Sequence, residues 1–223
     1  MTFSLTVRDE SGAFGMVICS SSPAVASRCV HLRAGVGAVA SQNVTNPRLG
    51  AIALDVLASD LDAEEALAAA LASEDHRAYR QLVVVDRRGN TAVHTGEHAL
   101  GINHHVQTKS AAAAGNMLRD GVVVESLLSG FTDSSAGCLE LRLLDGLAAA
   151  VLAGGEAGPV HSAGLQVVED VPWPVTDLRV DWHDDPVGEL RRLWSVWEPQ
   201  KQDYRIRGLD PTAAPSYGVP GDL

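Results

Sequence analysis

The run T-F-S-L-T-V at residues 2–7 alternates polar and apolar side chains, the period-two signature of a strand with two unlike faces. Residues 3–8 and 14–20 read as two such strands, joined by a turn at 9–12 whose Asp9, Ser11 and Gly12 suit a hairpin. A third strand over 35–42 carries the small apolar run G-V-G-A-V-A-S-Q. Asn46 and Pro47 then open a helix as N-cap and first helical residue, running to about residue 59. A second helix starts at Asp62, where D-A-E-E forms a capping box, and continues through alanines to about residue 73. Residues 81–86 are an apolar, β-branched strand, followed by the turn 87–90 and a partner strand at 91–95. Beyond it the pattern predicts a strand over 109–115, helices over 120–130 and 139–152, strands over 162–169 and 178–182, and a last helix over 187–197. Gly154 and Gly155 stop the second of those helices.

Strands, two helices, strands, two helices, strands, helix is not a strict β–α alternation. Two antiparallel sheets packed face to face, with helices outside both, satisfy it: an α+β, four-layer αββα sandwich. Small residues in the central strands suit close sheet-on-sheet packing. No composition break divides residues 1–198, so they form one domain. Residues 199–223, with Pro199, Pro211, Pro215, Pro220 and several glycines, read as a C-terminal arm.

Composition narrows the function classes. The 223 residues are 46% hydrophobic and 20% charged, as in a globular protein. With 28 acidic against 17 basic residues the net charge is −11, which argues against nucleic acid or an anionic membrane as partner. No segment reads as a secretion signal or a membrane span. The three cysteines, Cys19, Cys29 and Cys138, lack metal-ligand spacing and read as small buried hydrophobes in a reducing cytoplasm. His94, His98, His104 and His105 fall in a predicted loop with no Cys or Glu to complete a zinc set, and read as surface residues; no cofactor or metal is expected.

Thr2 is the candidate for chemistry. Loss of Met1 would leave a threonine whose hydroxyl and free α-amine belong to one residue, a nucleophile with its own base. An α-amine titrates near ~8, so a fraction is neutral at physiological pH. On its own this is weak, because many chains begin Met-Thr.

Five stretches strengthen it: M-T-F-S-L at the start, A-G-V-G-A-V-A-S-Q-N (34–43) with N-P-R-L-G (46–50), A-G-N-M-L (114–118), L-R-V-D-W-H-D-D-P-V-G-E-L-R-R-L (178–193) and D-P-T-A-A-P-S-Y-G-V-P-G-D (210–222). Together, and in this order, they resemble the DUF1028 family, assigned to the Ntn-hydrolase superfamily. The resemblance covers essentially the whole chain. It implies an αββα sandwich with the N-terminal residue at the end of a central strand, and hence Thr2 as nucleophile toward a small-molecule amide.

An amidase of that kind needs donors for a tetrahedral oxyanion. Asn116 is the candidate, at a strand exit beside Gly115. Ser20 and Ser21 end the second strand beside the first, where they could hold the amine and hydroxyl. Arg33 stands where many such hydrolases carry a lysine; it could lower the amine's pKa or grip a substrate carboxylate. Of Ser41, Gln42 and Asn43, one lines the pocket, with Gln42 and Asn43 the substrate-binding candidates. Asp181, His183 and Asp185 read chiefly as a turn and helix cap before Pro186, with His183 a substrate-binding candidate. The loop G-G-E-A-G-P-V-H-S (154–162) departs from the resemblance: Pro159, Val160 and His161 stand where an arginine is expected, pointing to a less anionic substrate. The Pro-rich tail points to a homodimer. The competing reading is a binding or scaffold protein that keeps the fold without chemistry; metal-dependent hydrolysis is a third.

Overall fold

A computed structural model of the chain describes residues 2–221. The elements in order are β1 (Thr2–Arg8), β2 (Phe14–Ser20), α1 (Ala26–Cys29), β3 (Val30–Arg33), β4 (Gly37–Asn43), α2 (Arg48–Ala58), α3 (Ala63–Ala72), β5 (Arg80–Asp86) and β6 (Thr91–Thr95). They continue with β7 (Ile102–Thr108), β8 (Ala111–Leu118), α4 (Val122–Thr132), α5 (Leu139–Leu152), β9 (Ser162–Val168), β10 (Pro174–Val180) and α6 (Pro186–Leu209). One sheet has the order β10-β9-β2-β1-β8-β7 and the other β3-β4-β5-β6, with every pairing antiparallel.

The alternation in β1 decides how the layers stack. Phe3, Leu5 and Val7 point to one side, where they join Leu127, Leu143, Leu144 and Leu147 of α4 and α5 in the largest apolar cluster. On the far side of the other sheet, Leu49, Ala53 and Leu57 of α2 and Ala63, Ala66 and Ala70 of α3 pack on Val39, Leu82 and Val84. Between the sheets lie Met16, Ala40, Val83, Ala112 and Ala114. These are mostly small, which lets the sheets approach closely. The result is the expected αββα sandwich, with α6 covering β9 and β10 through Val187, Leu190 and Trp194.

Helix starts follow the sequence signals. Asp62 accepts the Glu65 N–H at 3.0 Å and Glu65 accepts the Asp62 N–H at 2.9 Å, closing the capping box. Asn46 Oδ1 accepts the Arg48 N–H at 3.2 Å at the head of α2. Asp185 caps α6 by accepting the Gly188 N–H at 3.0 Å.

Two expectations are corrected. The stretch holding His104 and His105 is not a loop but β7, an edge strand of the larger sheet. Its I-N-H-H-V-Q-T side chains are mostly exposed, so the strand carries no apolar alternation to betray it. The last helix does not stop at 197: α6 runs on through Pro199 to Leu209, so most of the supposed arm before residue 210 is helix. Ionic ties hold this extension. Lys201 Nζ donates to Glu140 and Glu169, each at 2.7 Å, and Arg205 pairs with Asp170 at 2.7 Å. The last two residues of the proposed arm lie outside the described residues.

Candidate functional site

Thr2, Ser4 and Thr6 share the face of β1 that looks toward the second sheet, and Ser4 Oγ donates to Gln42 Oε1 across the gap at 2.7 Å. Thr2 stands opposite Asn116 of β8, and the Phe3–Cys19 pairing brings Ser20 of β2 alongside it. Ser20, Thr2 and Asn116 therefore form one polar row across three adjacent strands, with Thr2 in the middle. All three are buried, Thr2 at 3% exposure. Thr2 Oγ1 lies 3.5 Å from Ser20 Oγ, longer than a full O–H···O bond.

Beneath the row runs a network of buried amides. Gln81 Oε1 accepts from Gln42 Nε2 at 2.8 Å and from Asn116 Nδ2 at 3.0 Å. Gln81 Nε2 donates to Thr95 Oγ1 at 3.1 Å and to the Gly115 carbonyl at 3.0 Å. Gln42 Nε2 also reaches the Ala114 carbonyl at 3.1 Å. This ties the two sheets together and fixes the Asn116 rotamer. Asn116 uses one N–H on Gln81 and keeps a second, while its buried Oδ1 has no partner among the described residues. Met117, next along, takes a left-handed φ of 48°, unusual for a residue with a side chain.

On the other side of Thr2 the serines lead to a cation. Ser20 Oγ is 2.8 Å from Ser22 Oγ, and Ser22 Oγ accepts from Arg28 Nη2 at 2.6 Å. Arg28 is anchored by the Pro23 and Ala24 carbonyls, which accept from its Nη1. Arg28 thus brings a guanidinium to the serine side of the row, linked to Thr2 only through Ser22 and Ser20.

A loop closes the end of the row. After α5, Gly154 and Gly155 take φ values of 116° and 56° and turn the chain back. The Gly155 carbonyl accepts from Arg119 N at 3.0 Å, Glu156 bridges to Leu118, and Ala157 N donates to the Met117 carbonyl at 3.0 Å. Glu156 Oε1 then accepts the Ser21 N–H at 3.0 Å, and His161 N donates to the Ser20 carbonyl at 2.8 Å. The loop therefore spans from the end of β8 to the end of β2, across the Thr2 end of β1 that lies between them. Glu156 is 3% exposed, and burial pushes its carboxyl pKa up. His161 stacks on the exposed Trp182 with ring centroids 4.3 Å apart.

Of the residues singled out in the sequence, Thr2, Ser20, Asn116 and Gln42 come together, and Ser21 joins them through its backbone N–H. Arg33 does not. It sits opposite Gly37, five residues along β4 from Gln42, which is roughly 16 Å at strand rise, and pairs with exposed Asp55 on α2 at 2.9 Å. Asn43 serves the backbone: at φ 69° it donates to the Tyr79 carbonyl and accepts from Leu100 N. His183 is exposed and bonds its ring Nδ1 to the Asp185 backbone, next to the cap of α6. Its N–H donates to the His161 carbonyl, which links that turn to the closing loop. Burial raises the thiol pKa of Cys19, Cys29 and Cys138 alike, which disfavours the thiolate nucleophile. Among the described residues no three His, Cys, Asp or Glu side chains gather as a metal site.

Sequence reasoning missed Gln81, Arg28 and Glu156. A glutamine at the head of an apolar strand was the available signal for Gln81, and a lone carboxylate in a glycine-rich loop that for Glu156. Arg28 gives none, because no sustained hydrophobic period in residues 26–33 marks the short α1 and β3.

A cavity of about 850 Å³ lies at the other end of the sandwich, beside Arg8, Phe14, Gly35 and Arg205. It is remote from Thr2, since Arg8 and Thr2 are opposite ends of one strand.

The model of DUF1028, a family of unknown function, matches residues 2–190. The chain belongs to the DUF1028 family. Its fold matches the crystal structure of a DUF1028 protein from Silicibacter pomeroyi at a TM-score of 0.80 and 33% identity, over 87% of this chain and 88% of that one. This DUF1028 chain also aligns with Anbu (ancestral beta-subunit) from Yersinia bercovieri, at 12% identity and a TM-score of 0.41, over 91% and 96% of the two chains. A Gly-1 mutant of Anbu from Hyphomicrobium aligns at 11% identity and 0.43, over 98% and 100%. No curated protein matches the DUF1028 chain.

Proposed function

We propose that this protein is an N-terminal-nucleophile hydrolase that cleaves a C–N amide bond of a small molecule through Thr2. The observation that carries the reading is the polar row: a threonine at the start of a central strand, flanked by a serine 3.5 Å away and by a buried asparagine with a spare N–H. Removal of Met1, which lies outside the described residues, frees the α-amine. The amine takes the Thr2 hydroxyl proton as Oγ1 attacks the carbonyl, and the spare Asn116 N–H steadies the oxyanion. The amine then protonates the leaving nitrogen, the C–N bond breaks, and an ester on Thr2 remains. Water, deprotonated by the same amine, attacks the ester and releases the acid. Ser20, held through Ser22 by Arg28, keeps the hydroxyl in position.

We place the reaction in the cytoplasm, without a resident cofactor, in a homodimer. No helix among the described residues is long and apolar enough to cross a membrane. The 3% exposure of Thr2 favours the alternative of a binding or scaffold protein without chemistry.

A screen of amides, lactams and ureido compounds with wild type and Thr2→Ala separates the two. Turnover by wild type alone is expected; equal turnover by both refutes the Thr2 mechanism.

A further inference from the structure

Glu156 is the one residue of the closing loop whose side chain reaches across it. Its Oε1 is accounted for by the Ser21 N–H, but Oε2 is buried and has no hydrogen-bond partner among the described residues. A buried carboxylate oxygen left in this way is costly unless a cation or a proton meets it. The ionisable groups around it do not. Arg119 gives its backbone N–H to Gly155 and its guanidinium forms no ion pair among the described residues, and Arg28 is committed to Ser22 and two carbonyls. The nearer His161 Nδ1 makes no hydrogen bond and lies 3.9 Å from Asp184. Cys19 is a neutral thiol, and Asp185 is acidic and turned to the cap of α6. No salt bridge is formed by Glu156 among the described residues, whereas the buried Glu74 and Glu140 each have a basic partner and the buried Asp86 accepts N–H bonds on both carboxylate oxygens.

The position of the loop identifies the missing partner. Anchored on Met117, Leu118 and Arg119 at one end and on Ser20 and Ser21 at the other, it crosses the start of β1, where a chain beginning at Thr2 would carry its α-ammonium. We infer that Glu156 is the counter-ion and proton acceptor of the Thr2 α-amine, a positioning residue that this fold holds ready for a newly exposed N-terminus. This rests on the Thr2 reading above. At rest the two form an ion pair, carboxylate beside α-ammonium; when the base is needed the α-ammonium passes one proton to Glu156 Oε2, leaving a neutral amine and a neutral carboxyl, with no net change in charge. The amine so freed is the base that the hydroxyl needs. Burial acts in the same sense on both groups, since it disfavours the charged form of each. The pair then titrates as a unit.

The test uses protein that begins at Thr2, verified by intact mass and labelled with ¹³C-threonine and ¹³C-glutamate, and follows the Thr2 Cβ signal with pH. Glu156→Gln keeps the shape and the bond to Ser21 but removes the charge, so a merely structural role leaves the Thr2 midpoint in place. The expected result is a midpoint at least about one pH unit lower in E156Q, a tenfold change in proton affinity. A drop of less than about half a unit overturns the inference. Should E156Q not fold, the wild type decides: the Glu156 Cδ and Thr2 Cβ signals must share an inflection, and independent titration overturns the pairing. Thr2→Ala keeps the two ideas apart. Loss of turnover in T2A with an unmoved E156Q midpoint refutes the role of Glu156 alone, whereas full turnover by T2A refutes the nucleophile and leaves the ion pair to its own titration.

Discussion

Gln81→Leu tests whether the buried amide network holds the site. Leucine nearly matches glutamine in volume, so the cavity term is small and the change isolates hydrogen bonding. Four bonds of 2.8 to 3.1 Å disappear. Gln42 keeps the Ala114 carbonyl, which leaves the Asn116 amide and the Gly115 carbonyl as the groups stranded in the interior. At about 1.5 kcal/mol for each stranded group, within the range for unsatisfied buried polar atoms, the loss is about 3 kcal/mol. For a chain of this size that corresponds to a fall in Tm of roughly 6–12 °C. Urea and thermal unfolding measure it directly. Because the Asn116 bond is one of those lost, Q81L and Asn116→Ala should be sub-additive in a double-mutant cycle. A Q81L protein within about 0.5 kcal/mol of wild type would refute the network as the tie between the sheets.

Other expectations follow from individual contacts. Glu74 accepts from Asn46 at 2.7 Å, from the His76 N–H at 2.8 Å and from Arg80 at 3.0 Å, bonds that together pull its pKa down to about 2, the Asn46 bond foremost. A depressed carboxyl stabilises the fold fully above its unfolded pKa near ~4.3 and loses that contribution as pH falls toward 2. Denaturation of Glu74→Gln against wild type should therefore differ by about 1–3 kcal/mol at pH 7 and converge near pH 2. Arg33→Ala should leave turnover unchanged and cost under about 1 kcal/mol, since its partner Asp55 is largely exposed; a large loss of activity would restore Arg33 to the site. Lys201→Met strands the buried Glu140 carboxylate and should cost about 2–4 kcal/mol in urea titrations, which an unstructured arm would not.

The sequence made the framework legible because the core obeys simple periods. The β1–β2 hairpin, the capping box at Asp62 and the apolar strand β5 each carry a clear local signal, and their positions hold to within a residue or two. What escaped lacks that signal. β7 is mostly exposed, with only Val106 packed on the core among its described residues, and the second half of α6 is held by Lys201 and Arg205 rather than by an apolar stripe. At the site, Thr2 and Asn116 could be singled out, but their register could not, since pairing across β1 and β8 is a tertiary fact. Arg33 misled for the same reason: proximity in sequence to a strand does not say which end of the sheet it reaches. Arg28 and Glu156 arrive from segments about 25 and 155 residues away from Thr2, and only the folded loop brings them to one place.

The proposed mechanism turns on a covalent event at one atom, Thr2 Oγ1. Active protein quenched in acid during turnover of an amide, digested and examined by mass spectrometry, reports on it directly. The expected N-terminal peptide begins at Thr2 and carries the acyl group of the substrate as an ester. A peptide that still begins at Met1 in protein turning over at full rate would contradict it.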